Sequence, residues 1–220
     1  MIAANKPLGT RINANHPINK GLVGCWLLNE GAGTIAKDIA RNNQGTLTNF
    51  GLSGTTSNWR PTPNGGGLNF DGSNDYIATN NTFDISTTNI ISISMMLKFS
   101  HSTVTILLEH STNYNNNNGF SISLNDGTVG GIYLNSHRTT SSGFDTYNVS
   151  YTGLKAYNDG LWHHFVGVIN RSNTTLANRL SLYVYGVRDT NLNATYTDTT
   201  TTNFSNFTLY KCSRAGTSLF

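Results

Sequence analysis

The chain has 220 residues, 14 basic against 11 acidic side chains, and a net charge of +3. Hydrophobic residues make up 37% and charged ones only 11%, so Asn, Thr, Ser and Gly supply most of the polarity. The basic residues are scattered, which argues against a nucleic-acid partner, and no run of about 18 apolar residues is available to cross a bilayer as a helix.

An aromatic content of 10% and several apolar runs argue against disorder. This length suits one large all-β domain with enough core to fold without a metal or a disulfide. Cys25 and Cys212 are too few for a disulfide framework. They read as two small buried thiols or, if their strands are neighbours, as one bridge.

Residues 1–19 are polar and interrupted by Pro7 and Pro17, and read as an extended arm ahead of a domain over 20–220. No apolar segment of signal-peptide length lies near Met1, so synthesis in a cytoplasm is expected. Gly21 to Leu28 is a short apolar run flanked by glycine, the pattern of a strand buried on both faces. Asn29-Glu30-Gly31-Ala32-Gly33 is a turn signal.

Strand candidates then recur. Gly67 to Phe70 leads through Asp71-Gly72-Ser73-Asn74-Asp75 to Tyr76, Ile77 and Ala78. Ile91, Ile93 and Met95 alternate with Ser92, Ser94 and Met96. Phe120, Ile122 and Leu124 alternate with Ser121 and Ser123, and Leu180, Leu182 and Val184 with Ser181, Tyr183 and Tyr185. A period of two sets one face on a core and the other towards water. Residues 162–169 and 207–210 complete the series. Many short strands with regular turns and no helical period predict an antiparallel sandwich or barrel. Tyr114 to Gly119 and the polar stretch 136–160 read as long loops, either functional or plain insertions.

Three motif regions and a fourth pair resemble the laminin-G-like branch of the concanavalin A-like lectin/glucanase superfamily. They are Gly21 to Gly31; Ala36-Lys37-Asp38 with Asn42 to Leu47; Leu68 to Ile77; and Gly160-Leu161-Trp162-His163-His164-Phe165-Val166 with Leu182 to Gly186. Ala40-Arg41 stands where the family has Ser-Gly. The resemblance implies a two-sheet antiparallel jelly-roll sandwich. It also implies a closing strand beside the first, and the sequence stops about where that strand would begin. An open apolar edge invites pairing, so the arm or a second copy is expected to cover it by strand addition. The stretch Asn15 to Val23 further resembles laminin-G-like structural proteins of tailed bacteriophages. That implies a virion surface or capsid-decoration protein with other virion proteins or copies of itself as partners, a homo-oligomer included.

The superfamily includes glycosidases, which need two carboxylates across the scissile bond. Glu30 and Glu109 are the glutamates, and neither begins the Glu-x-Asp-x-x-Glu pattern of the hydrolase branch, so no catalysis is expected. His163 and His164, adjacent on a strand, face opposite sides and cannot share a metal; a core-packing Trp162 beside hydrogen-bonded imidazoles is expected. No cofactor is required. Calcium takes oxygen ligands, which Asp71, Asn74 and Asp75 offer in one tight loop, although a self-capped Asx turn explains the same residues. For a glycan, the candidates are aromatics and an amide in loop-like stretches: Trp59, Tyr114, Asn115, Tyr147 and Tyr157. The two functions to be weighed are thus virion surface protein and lectin-like module.

Overall fold

A computed structural model of the chain describes residues 12–13, 15–54, 58–63, 65–79, 84–110, 119–125, 129–137, 144–149, 157–189, 192–195, 203–204, 210–212 and 218–219. Its strands in chain order are β1 (Ile35–Ala36), β2 (Gly45–Thr48), β3 (Asn58–Thr62), β4 (Gly65–Asn69), β5 (Tyr76–Thr79), β6 (Ile90–Phe99), β7 (Thr105–His110) and β8 (Phe120–Leu124). They continue as β9 (Ile132–His137), β10 (Phe144–Val149), β11 (His163–Asn170), β12 (Leu180–Val184), β13 (Val187–Arg188), β14 (Leu192–Thr195), β15 (Tyr210–Cys212) and β16 (Ser218–Leu219). Two short 3-10 turns, Pro17–Asn19 and Leu176–Asn178, are the helical elements among the described residues.

The strands form two antiparallel sheets. One has the order β1-β2-β5-β15-β7-β8-β9-β10-β14, the other β13-β12-β11-β6-β16-β4-β3. The core lies between them. Leu107, Leu108, Phe120, Ile122, Leu124, Ile132 and Leu134 come from the first sheet, and Leu68, Leu97, Phe99, Phe165, Ile169, Leu180 and Leu182 from the second. Gly167 shows how close the layers come, since a methyl group there would lie 3.2 Å from a Leu134 methyl.

Alternation holds best in β11, where His163, Phe165, Gly167 and Ile169 are buried and the intervening residues are half-buried. It fails in β8. Ser121 and Ser123 were expected to face water, yet both are fully buried, so this strand is covered on both faces. A bulge between Ile106 and Leu108 turns Leu107 and Leu108 both into the core.

The first apolar run departs from expectation. Gly21 to Leu28 forms no strand of either sheet, and its one ladder contact is an isolated bridge between Trp26 and Asp38. Side-chain chemistry takes its place. Asp38, 6% exposed, accepts from the amides of Cys25 (2.8 Å), Ala40 (2.9 Å), Arg41 (3.2 Å) and Asn43 (3.0 Å). The Trp26 indole donates to the Asn43 carbonyl, and Leu27 and Leu28 are buried. Cys25 is half-buried rather than buried, and the side chain of Cys212 lies outside the described residues.

The open edge expected beside this run therefore has no strand to carry it. Residues 218–219 pair elsewhere, between β4 and β6. Of the arm, residues 1–11 and 14 lie outside the described residues. The part from Asn15 to Lys20 is folded back rather than extended, because Asn13 accepts from the Asn15 and His16 amides and from the Asn19 side chain. The polar stretch 136–160, expected as a loop, contains β10.

Candidate functional site

The sequence of β4, Gly65-Gly66-Gly67, leaves its outer side without side chains. Gly66 lies against the Asn29 backbone, where a Cβ would come within 2.7 Å of Asn29 Cα. Gly67 pairs with Arg60 of β3 and helps line a trough of about 120 Å³ on the surface. Arg60, Pro61, Thr62 and Pro63 form one wall, and Lys98 and Trp162 the other. The lining thus carries two cations, an indole, two proline rings and no carboxylate.

Strand periodicity puts these groups there. In β3, Trp59 points inward and is 7% exposed, so Arg60 points out. In β6, Leu97 and Phe99 are buried, so Lys98 points out. In β11, His163 takes the inward position, so Trp162 just before it turns to the surface. Trp162 was expected in the core; it is half-buried and lines the groove. Arg60 donates through Nη2 to the Gly54 carbonyl at 2.9 Å, which steadies its planar head. Among the described residues none accepts a hydrogen bond from Lys98 or from the Trp162 indole.

Trp162 is framed by a compact polar cluster. The Asp159 carboxylate accepts from the Leu161 amide at 2.9 Å and lies 2.8 Å from His163 Nε2. The Tyr185 hydroxyl lies 2.8 Å from the Trp162 carbonyl and 2.9 Å from His163 Nδ1. Tyr185 and Gly186 both have positive φ, 51° and 79°, as a two-residue hairpin of the type I′ kind requires. Tyr157 packs edge-on to His163 and Phe165, with ring centroids 5.3 Å away in each case. Burial first, then the charge of Asp189 and the neighbouring Tyr185, raise the Tyr157 hydroxyl above its ordinary range. Asn158 reaches the His101 carbonyl, and the Gly160 amide donates to that of Phe99, so the segment 157–162 is tied to the end of β6.

Of the expected glycan residues, Trp59 is a core residue on a strand whose indole donates to the Gly33 carbonyl at 2.9 Å; it is not a loop aromatic. Tyr157 is half-buried and packs on the inward-facing His163 and Phe165 rather than lining the groove. Tyr147 sits on β10 opposite Leu134 and Ala194, with its side chain outside the described residues, as Tyr114 and Asn115 are entirely. Of the groove residues, Arg60 and Lys98 were not singled out from sequence, and Trp162 was expected only as a core residue. Alternation counted back from Ile169 and outward from Trp59 would have found them.

The candidate calcium loop closes on itself. Asp71 Oδ1 accepts from the Ser73 amide at 2.8 Å, and Asp75 Oδ2 from the Asp71 amide at 2.7 Å. The Asn74 carbonyl accepts from the Asn49 side chain. An Asx turn uses its oxygens in this way. Among the described residues no three His, Cys, Asp or Glu side chains gather. His163 and His164 do face opposite sides: His163 meets Asp159, and His164 meets Ser94 Oγ at 2.9 Å.

On the outer face of the nine-stranded sheet, register places Glu109 beside Ser121, and Ser121 beside Asn135. Ser121 thus stands between Glu109 and Asn135, whose side chain reaches the Ser121 hydroxyl at 3.3 Å. All three are at most 3% exposed, so this polar layer is enclosed whereas the groove is open.

No family model matches the chain, and no curated protein matches it. Solved structures do. A mutant of HCR/D superposes with a TM-score of 0.50 at 10% identity, over 90% of this chain and 47% of that one. Domains LG4-5 of the mouse laminin alpha1 chain give 0.47 at 16% identity, over 70% and 40%. The carbohydrate recognition domain of Emp46p gives 0.44 at 11% identity, over 90% and 92%. The chain spans less than half the length of the first two. The fold is a concanavalin A-like jelly-roll sandwich, all-β and antiparallel. Identities this low speak to fold and not to ligand.

Proposed function

We propose that this protein is a non-catalytic, carbohydrate-binding sandwich that takes acidic glycans in the Trp162 groove. The observation that carries this reading is the groove's chemistry: a half-exposed indole beside Arg60 and Lys98, with no carboxylate in the lining. An aromatic face accepts the apolar side of a pyranose ring. A guanidinium meets a carboxylate or sulfate through two parallel hydrogen bonds, and an ammonium adds a mobile point charge. Every polar side chain of the two walls except Thr62 is a pure donor, which favours an acceptor-rich, negative ligand over a neutral one. The non-catalytic reading is supported by Glu30 and Glu109, neither of which begins the Glu-x-Asp-x-x-Glu pattern.

Calorimetric titration with an oligogalacturonide and with a neutral cello-oligosaccharide tests the reading. The acidic sugar should bind, weaken as salt screens the groove, and lose about tenfold in affinity, about 1.4 kcal/mol, in Arg60→Ala or Lys98→Ala. Trp162→Ala should abolish binding. Equal binding of both sugars, or binding untouched by Trp162→Ala, would overturn it.

The likeness of Asn15 to Val23 to bacteriophage proteins supports a finer setting for the same groove, display on a virion surface. Solution mass and binding to whole particles test that setting independently of the sugar.

A further inference from the structure

We propose that one end of the sandwich is a docking surface for an anionic lipid bilayer, where apolar side chains from four adjoining turns enter the headgroup layer. Seven large apolar side chains are exposed among the described residues. Five of them, Val104, Val129, Leu161, Tyr185 and Val187, lie at this end, with exposures from 48% to 72%.

Strand register gathers them. His163 pairs with Leu97, so Leu161 and Trp162, just before β11, stand beside the last residues of β6. Phe165 pairs with Val184, which brings the Tyr185-Gly186 turn and Val187 to the same start of β11. In the other sheet Thr105 pairs with Leu124 and Leu124 with Ile132, so Val104 before β7 is level with Val129 in the β8–β9 turn. Hydrogen bonds join the two groups of turns. The Gly160 amide donates to the Phe99 carbonyl at 2.9 Å and the Tyr157 amide to the Gly130 carbonyl at 3.2 Å. The Asn125 side chain donates to the Thr103 carbonyl at 2.8 Å, and that of Asn158 to the His101 carbonyl at 3.4 Å. The turns thus bond to one another through polar groups while these apolar side chains face outward.

Single apolar residues scattered over a surface need no explanation, but five on adjoining turns mark an interaction site. Shape and charge select the partner. Side chains on separate turns suit a yielding interfacial layer, which asks for no complementary shape. Arg60 and Lys98 line the groove beside Trp162, and an anionic bilayer attracts cations close to its surface. An indole, apolar in its body and polar at one edge, fits that boundary. Asp159, the acid next to Leu161, is turned onto the Leu161 amide and His163. A second copy on this face would bring like charges together, which works against association. The docking surface shares Arg60 and Lys98 with the glycan reading but rests on the apolar rim, which that reading does not use.

Flotation with vesicles of phosphatidylcholine and phosphatidylglycerol tests the surface, with vesicles of phosphatidylcholine alone as the comparison. The protein should float with the anionic vesicles, stay behind with the neutral ones, and bind less as salt rises. Val104→Ser combined with Val129→Ser removes two apolar groups outside the groove lining. That pair should weaken vesicle binding about tenfold and leave the titration with an oligogalacturonide unchanged. Leu161→Ser, on another turn, should weaken vesicle binding in the same way, and serves as the readout if the double variant does not fold.

A wild-type protein that does not float with anionic vesicles would overturn the docking surface. Equal flotation of wild type and variants would overturn it too, by assigning the binding to charge alone. A dimer in solution that the rim substitutions return to a monomer would replace the bilayer with a second copy. Flotation without binding of the acidic sugar would overturn the groove reading alone.

Discussion

The carboxylate of Asp38 lies 2.8 Å from the backbone amide of Cys25, thirteen residues earlier in the chain. Three more amides converge on it, from Ala40, Arg41 and Asn43. This one side chain does for Gly21 to Leu28 what a neighbouring strand does elsewhere in the fold. Asp38→Ala should therefore lower stability by about 3 kcal/mol, since it leaves several amides of a buried site without an acceptor. Urea unfolding of the two proteins measures this, and a loss below about 1 kcal/mol, the worth of one ordinary hydrogen bond, would show that water replaces the carboxylate.

Arg171 should prove as demanding. Its guanidinium is 2% exposed, sits 4.0 Å from the centre of the Phe204 ring, and donates to Ser136 Oγ and the Gly119 carbonyl, both at 2.9 Å. A lysine keeps the charge but not the planar fork. Arg171→Lys is expected to cost on the order of 2 kcal/mol, with two partners left short of a donor. A thermal unfolding midpoint equal to that of the wild type would refute the clamp.

His101 predicts an acid limb of the stability curve. Burial lowers its affinity for a proton, opposed in part by its hydrogen bond to the Thr103 carbonyl. The folded value is below the unfolded one of 6.5, so below that pH the unfolded chain binds more protons than the folded one. Stability from this site is thus full above pH 6.5 and falls as the solution is acidified through the folded value. Midpoints measured across this range should decline, and the decline should be shallower in His101→Gln. Identical slopes would remove His101 as the cause.

Calcium at millimolar concentration should leave the unfolding midpoint where it is, because Asp71 and Asp75 direct oxygens at the loop's own amides. A ligand that binds only the folded state raises stability with its concentration. A rise of several degrees, lost in Asp75→Asn, would establish a calcium site that the present geometry does not display.

The sandwich was legible because its strands carry a strict period of two. Phe165, Gly167 and Ile169 in β11 and Ile91, Ile93 and Met95 in β6 point to the core as their spacing requires. The run Gly21 to Leu28 misled because apolar content reports burial, not the hydrogen-bonding partner, and here that partner is a carboxylate distant in sequence. Ser121 and Ser123 misled in the opposite sense. Polarity suggested water, but both are fully buried. The groove was hidden because Trp59 reads as an aromatic in a loop-like stretch, while the strand phase that turns Trp59 inward delivers its neighbour Arg60 to the surface. The cluster around His163 was foreshadowed only as a pair of hydrogen-bonded imidazoles. Tyr185 joins it through a hairpin that brings residues 22 positions apart into contact.

The positions of β15 and β16 bear on how the molecule comes into being. β15 lies between β5 and β7, and β16 between β4 and β6, so each sheet is in two halves until residues 210–219 arrive. On a ribosome those residues emerge after every other strand among the described residues. Until then the molecule has two unfilled slots, each flanked by backbone groups ready to pair with any passing segment. Contacts that span so much of the chain also close slowly. The hazard for this fold therefore lies in its birth, when a nascent chain could accept a neighbour's strand in place of its own.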